Sequence, residues 1–146
     1  IVTRIVSLKF GEHSVNEARP GGLVAVGTEL DPSLTKADAM VGNVIGKPGQ
    51  MPPIARGLII RYELMKRVVG LKEAIEPAPI QRNEILVVTA GTAIRIGTVT
   101  SIAGDTIEVK LREPISTWRG ARVAISRRVL GRWRLAGWGV IEDLEE

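Results

Sequence analysis

The amino-acid sequence predicts an all-β chain, made of one complete β-barrel and part of a second. Three observations point there. Short runs of Val, Ile, Leu and Thr alternate with Gly, Pro, Asn and Asp along nearly all of the 146 residues. The clearest run, 105–112, sets Ile107, Val109 and Leu111 against Thr106, Glu108 and Lys110, the period of two that a half-buried strand requires. Aromatic residues make up only 3% and cysteine is absent, so the core must be aliphatic and cannot rest on disulfides or thiolate metal sites.

In chain order, 1–9, 22–27 and 39–46 read as three strands, too few to close a barrel and leaving open sheet edges. The polar stretch 10–17 between the first two reads as a hairpin loop. Pro48, Gly49, Pro52 and Pro53 cluster at a boundary, which divides the chain into 1–50 and 51–146. The second part has room for six or seven strands. Residues 57–69 read as a long extended strand, although 64–67 favour helix by propensity. Pro77 and Pro79 impose a loop. Residues 84–90 form a nearly continuous apolar strand, and 94–103 turns into 105–112 through Gly104 and Asp105. The last two strands, 121–129 and 131–141, reverse at Leu130-Gly131. Strict alternation groups Arg122, Ala124, Ser126 and Arg128 on one face of the first, and Arg132, Arg134, Ala136 and Trp138 on one face of the second. Val123, Ile125, Trp133 and Leu135 then fall on the packed side, where burying Trp133 and Leu135 contributes roughly 1.5–3 kcal/mol each.

Charge is placed unevenly. Five basic and five acidic residues balance in 1–50, so the net charge of +4 belongs wholly to 51–146. Within 119–134 stand six arginines and no acid, after which Glu142, Asp143, Glu145 and Glu146 reverse the sign. Crowded like charges repel unless neutralised. Arg122, Arg127, Arg128, Arg132 and Arg134 therefore have two readings: a phosphate-binding stripe for RNA, or a solvated face paired with the acidic tail 142–146 or other acids.

Catalytic chemistry finds little support. His13 is the sole histidine and reads as a solvated loop residue, which removes histidine triads and multi-histidine metal sites. Ser33 and Ser126 have no base near them in sequence, and no two carboxylates are paired for acid–base work. The segment Gly42-Asn43-Val44-Ile45-Gly46-Lys47 looks like a phosphate loop but has three residues between its glycines instead of four. It also has Pro48 where Ser or Thr would hold magnesium. The apolar run at 57–60 is cut by Arg61, Glu63, Lys66 and Arg67, so no helical membrane span fits. The start at Ile1, without a leader, reads as a piece of a longer protein, and the lack of cysteine suits a cytoplasmic one.

Three stretches converge on one family. Residues 20–49 (PGGLVAVGTELDPSLTKADAMVGNVIGKPG), 64–70 (LMKRVVG) and 123–139 (VAISRRVLGRWRLAGWG) resemble the gamma subunit of archaeal and eukaryotic translation initiation factor 2. A weaker likeness extends to elongation factor Tu, and a selenocysteine-type elongation factor is a close relative. The resemblance covers essentially the whole chain. It implies β-barrels of the translational-GTPase domain II/III type, with 1–50 as the latter part of domain II and 51–146 as domain III. GTP and magnesium would then bind a G domain absent from this chain, which has no cofactor or catalytic site of its own. The intact protein would deliver methionylated initiator tRNA to the small ribosomal subunit, as a heterotrimer with alpha and beta subunits. The resemblance puts the tRNA acceptor end on Ser7, Lys9, Gly22, Val24, Val26 and Gly27. It puts the alpha subunit on the 10–17 loop, with Glu12 and Glu17 as its acids. The phrase Gly-Lys-Pro-Gly leans archaeal. The rival readings are a stand-alone β-barrel adaptor for RNA or protein, and domains II and III of an elongation-type GTPase.

Overall fold

A computed structural model describes residues 1–19, 21–70 and 75–146. The chain is all-β and divides into two compact units, Ile1–Met40 and Val41–Glu146. The expected boundary at the proline cluster near 47–53 lies inside the second of these.

The first unit is a three-stranded antiparallel sheet in the order β2-β1-β3, from β1 (Ile5–Phe10), β2 (His13–Val15) and β3 (Val24–Thr28). The expected loop at 10–17 is a two-residue turn, Gly11-Glu12, between paired Phe10 and His13. His13 is therefore a strand residue, and still an exposed one. The third expected strand, 39–46, is absent, and turns and irregular chain occupy it. Before it, Asp31 caps a single helical turn, α1 (Pro32–Thr35), by accepting from the Ser33 N–H at 2.8 Å. Hydrogen bonding from the Ser33 side chain, and then from its N–H, holds the Asp31 carboxyl below the usual aspartate range. None of the described residues of this unit is buried, and Ile5, Val6, Phe10 and Leu23 are all exposed.

The second unit is a closed six-stranded barrel in the order β4-β7-β6-β5-β8-β9. Its strands are β4 (Ile54–Leu64), β5 (Ile85–Ala90), β6 (Ala93–Ala103), β7 (Thr106–Ser116), β8 (Arg122–Val129) and β9 (Arg132–Glu145). The 64–67 stretch is not helical; β4 ends at Leu64 and a bend follows. The period of two in β7 does what the sequence requires, since Ile107, Val109 and Leu111 are buried together with Leu58, Ile60, Leu86, Val88, Val99, Ile125 and Ile141. Among the described residues the largest buried side chains are aliphatic apart from Thr117, as the low aromatic content dictates.

Closure depends on β9, which pairs with β8 through Arg132–Val140 and with β4 through Gly137–Glu145. A strand bonded on both sides across a barrel seam must coil strongly, and extra residues supply the coil. Ala136 is one such residue, between the Ile125–Gly137 and Ser126–Leu135 pairs; Glu142 is the other, between the Ile60–Ile141 and Ile59–Asp143 pairs. Where β9 meets β4, positions 137 and 139 have no room for a side chain. A Cβ on Gly137 would lie 2.5 Å from the Glu63 carbonyl oxygen, and one on Gly139 would lie 2.8 Å from that of Arg61. Two ion pairs tie the far end of β9: Arg61 to Glu142 at 3.0 Å and Arg119 to Asp143 at 2.5 Å. The Asp143 carboxyl is held below the usual range chiefly by the Leu144 N–H at 2.8 Å; desolvation opposes this, and Arg119 adds to the lowering.

Gly139→Ala should therefore destabilise the barrel by about 1–3 kcal/mol, because its methyl meets backbone that cannot rotate away. Denaturant unfolding of the chain checks this; a midpoint equal to wild type would mean that the seam is not close-packed.

Candidate nucleic-acid interface

The arginines that look alike in sequence fall into separate environments. Along β8 the pleat turns Val123, Ile125 and Arg127 inward and Arg122, Ala124, Ser126 and Arg128 outward, as alternation requires. Arg127 continues the inward row at the barrel mouth, with its side chain only 12% exposed. Its Nε donates to Glu84 Oε1 at 2.5 Å, one Nη donates to Glu84 Oε2 at 2.9 Å, and the other donates to the Ala78 carbonyl. This fork pins the proline-bearing loop against β8 and leaves Arg127 committed to structure, contrary to its place in the expected stripe. Arg134, opposite Arg127 on β9, also turns toward the mouth. It donates to the Gly70 carbonyl at 2.6 Å, and its Nε is buried with no partner among the described residues. Two arginines face each other there, and Glu84 with the backbone carbonyls offsets their repulsion.

Arg122, Arg128 and Arg132 are different. All three are exposed, and none has an ion pair among the described residues. The acidic tail pairs with Arg61 and Arg119 instead. Among the described residues, that tail forms no ion pair with these three arginines.

The face assignment of β9 needs correction. The extra residue Ala136 shifts its phase by one, so Trp133 and Leu135, expected inside, face outward beside Arg128 and Ser126. Ala136 is fully buried in their stead, while Trp133 remains 41% exposed. Trp138, on the far side of the bulge, faces outward opposite Ala124 as expected. The reversal between β8 and β9 is a two-residue turn with Leu130 at φ 50 and Gly131 at φ 76. Both are left-handed, as the favoured hairpin turn demands. For leucine this costs about 1 kcal/mol.

In the first unit, β1 and β3 are neighbours with Ser7 opposite Gly27, Lys9 opposite Ala25 and Phe10 opposite Val24. Ser7, Lys9 and Gly27 thus share one face, and the Ser7 side chain lies where a Gly27 Cβ would be. Val24 and Val26 lie on the other face with Leu8 and Phe10, and Gly22 packs against the Phe10 ring. The six positions expected to form one wall are split by the pleat. Glu12 sits in the β1–β2 turn, while Glu17 is paired with Arg19 at 3.2 Å. The 42–47 segment lacks the strand–loop–helix setting of a phosphate loop, since no helix follows Lys47 in 48–53. It offers no fit for a nucleotide or its magnesium.

Residues 56–141 match the family model described as initiation factor eIF2 gamma, C terminal. The chain belongs to the translation initiation factor 2 gamma family. It is 57% identical to the translation initiation factor 2 subunit gamma of Aeropyrum pernix, over 96% of this chain and 34% of that protein. To its counterpart from Pyrococcus horikoshii it is 51% identical, over 98% and 35% respectively. The chain thus spans about a third of the length of these relatives. Among solved structures, the bacterial selenocysteine-specific elongation factor EF-Sec superposes with a TM-score of 0.66 at 16% identity, over 96% of this chain and 21% of that one; at that identity the likeness is one of fold. The gamma-family model covers β4 to most of β9, so the hairpin with the free arginines lies within the matched region. No helix among the described residues is long and apolar enough to cross a membrane.

The two classes of arginine should separate on mutation. Arg127→Ala strands Glu84 and the loop carbonyls, and should lower stability by about 2–3 kcal/mol. Arg128→Ala removes an exposed, unpaired side chain and should stay within about 0.5 kcal/mol. Parallel urea titrations measure both, and similar losses would show that the distinction drawn from geometry is wrong.

Proposed function

We propose that this chain supplies the RNA-facing β-barrels of a translation initiation factor 2 gamma subunit, with 1–50 as the latter part of domain II and 51–146 as domain III. In the intact protein a G domain elsewhere in the chain binds GTP and magnesium. That protein, joined to alpha and beta subunits, brings methionylated initiator tRNA to the small ribosomal subunit. Family membership supports this reading, and so does one observation in particular: Arg122, Arg128 and Arg132 reach solvent uncommitted beside arginines of the same stripe that are locked in structure. Guanidinium groups held on a rigid hairpin suit phosphate, which they bind in a forked geometry. Ribosomal RNA is the phosphate source this reading assigns to the second barrel.

The acceptor end of the tRNA belongs, on this reading, to the polar face of β1 and β3. There Lys9 offers charge and Ser7 a hydroxyl, which lies over the bare backbone of Gly27. Docking of the alpha subunit belongs to the β1–β2 turn, with Glu12 as the acid free of the Glu17–Arg19 pair.

The double substitution Arg128→Glu, Arg132→Glu should weaken RNA or ribosome binding while leaving the unfolding midpoint nearly unchanged. About three phosphate contacts give a log–log salt slope near −2 to −3, and the double variant should flatten it by roughly 1.5–2. A wild-type slope in the variant would remove the hairpin from the mechanism. For the first unit, Lys9→Ala in the full-length factor should lower affinity for methionylated initiator tRNA several-fold, most clearly at low salt. Filter-binding titrations would show this, and an unaltered affinity would move the acceptor end off that face.

A further inference from the structure

The outer face of the β8–β9 hairpin combines features that phosphate contact alone does not require. On β9 the bulge at Ala136 turns Trp133 and Leu135 to solvent, and Trp138 follows on the same face. On β8 the residues opposite them are small, Ser126 beside Leu135 and Ala124 beside Trp138. Arg128 stands directly opposite Trp133, and Arg122 lies six residues back along the same row of β8. Strand geometry separates these two arginines by about 20 Å. The result is a shallow strip: two indoles with Leu135 between them on β9, low ground beside them on β8, and an unpaired guanidinium toward either end. Leu130 extends the apolar end, 77% exposed in a left-handed turn position that asparagine or glycine fills without strain.

We infer that this strip is a platform for an unpaired RNA segment, with bases stacked on Trp133 and Trp138 and phosphates on Arg128 and Arg122. The inference rests on the phosphate reading of the same arginines and narrows it. A regular RNA duplex keeps its bases inside and offers only its backbone, which engages the arginines and leaves both indoles against water. Splayed bases use the indoles as well, since every base has a face that stacks on an aromatic ring. Charge agrees with this choice, because no acid stands anywhere in 119–134. Glu63 on β4 is the cross-strand partner of Trp138, which places the phosphate path on the β8 side of the strip.

Fluorescence titration of the full-length factor tests this. Trp118→Phe simplifies the emission of its two barrels; Trp118 lies before β8, outside the strip. The probes are a short unpaired RNA oligonucleotide and a blunt RNA duplex at one ionic strength. The unpaired RNA should bind about tenfold more tightly and quench the indole emission. Trp133→Ala should bring its affinity down to that of the duplex, and Trp133→Phe should restore most of the preference. Equal affinity for the two RNAs, both lowered by Arg128→Glu with Arg132→Glu, would overturn the platform and leave the phosphate reading intact. No effect of that arginine pair would remove both. Quenching by an acidic peptide such as polyglutamate but not by RNA would assign the strip to a protein partner and overturn the inference. So would indoles shielded from acrylamide in the free full-length factor, because the rest of the chain would then cover them.

Discussion

Closure of the second barrel through β9 is the constraint from which the rest of its architecture follows. One strand of 14 residues serves two neighbours, and it does so only by coiling. Coiling requires bare backbone where β4 crosses, hence Gly137 and Gly139, and an extra residue where the pairing changes hands, hence Ala136. That bulge has an effect beyond closure. It reverses which side chains of β9 face solvent, so the same device that seals the core places Trp133 and Leu135 on the surface.

Charge at the barrel mouth is sorted by the same geometry. Arg127 and Arg134 occupy inward positions, and each is answered: one by a carboxylate and loop carbonyls, the other by the Gly70 carbonyl. Arg122 and Arg128, one position out of phase on β8, have nothing to answer them among the described residues. A buried guanidinium without partners would be costly, whereas an exposed one costs little and remains available to a ligand. The local basic excess is therefore two things at once: a clamp that holds the proline loop, and a set of exposed charges on a strand which that clamp stiffens.

Much of this was legible in the sequence. Alternation in 105–112, the Gly104-Asp105 turn and the reversal at Leu130-Gly131 each led to a real element, because each is a local rule that tertiary packing did not override. Family likeness was legible too, in 123–139 above all. What escaped were effects set by partners distant in sequence. A bulge is invisible to strict alternation, so Trp133 and Leu135 were placed inside. Glu84 stands 43 residues before Arg127, and nothing local announces their pairing. The 39–46 run is apolar enough for a strand, yet turns and irregular chain occupy it. Pleating likewise divides the expected tRNA wall. A list of positions on two adjacent strands becomes one surface only when their parity agrees, and Lys9 and Val26 differ in that parity.

Local rules are broken where the hairpin meets solvent, and there the departures agree with one another. A leucine holds a left-handed turn position, two indoles and a further leucine face water, and arginines stand unpaired, all on one supersecondary unit. Each lowers stability or solubility by a modest amount, and none is required for closing the barrel, since the seam lies on the other edge of β9. A chain under selection for folding alone has simple remedies: asparagine at the turn, and threonine or lysine on the outer face. Such departures together on one hairpin, while the core beneath keeps to aliphatic packing, are the pattern expected where a surface is shaped by what binds it.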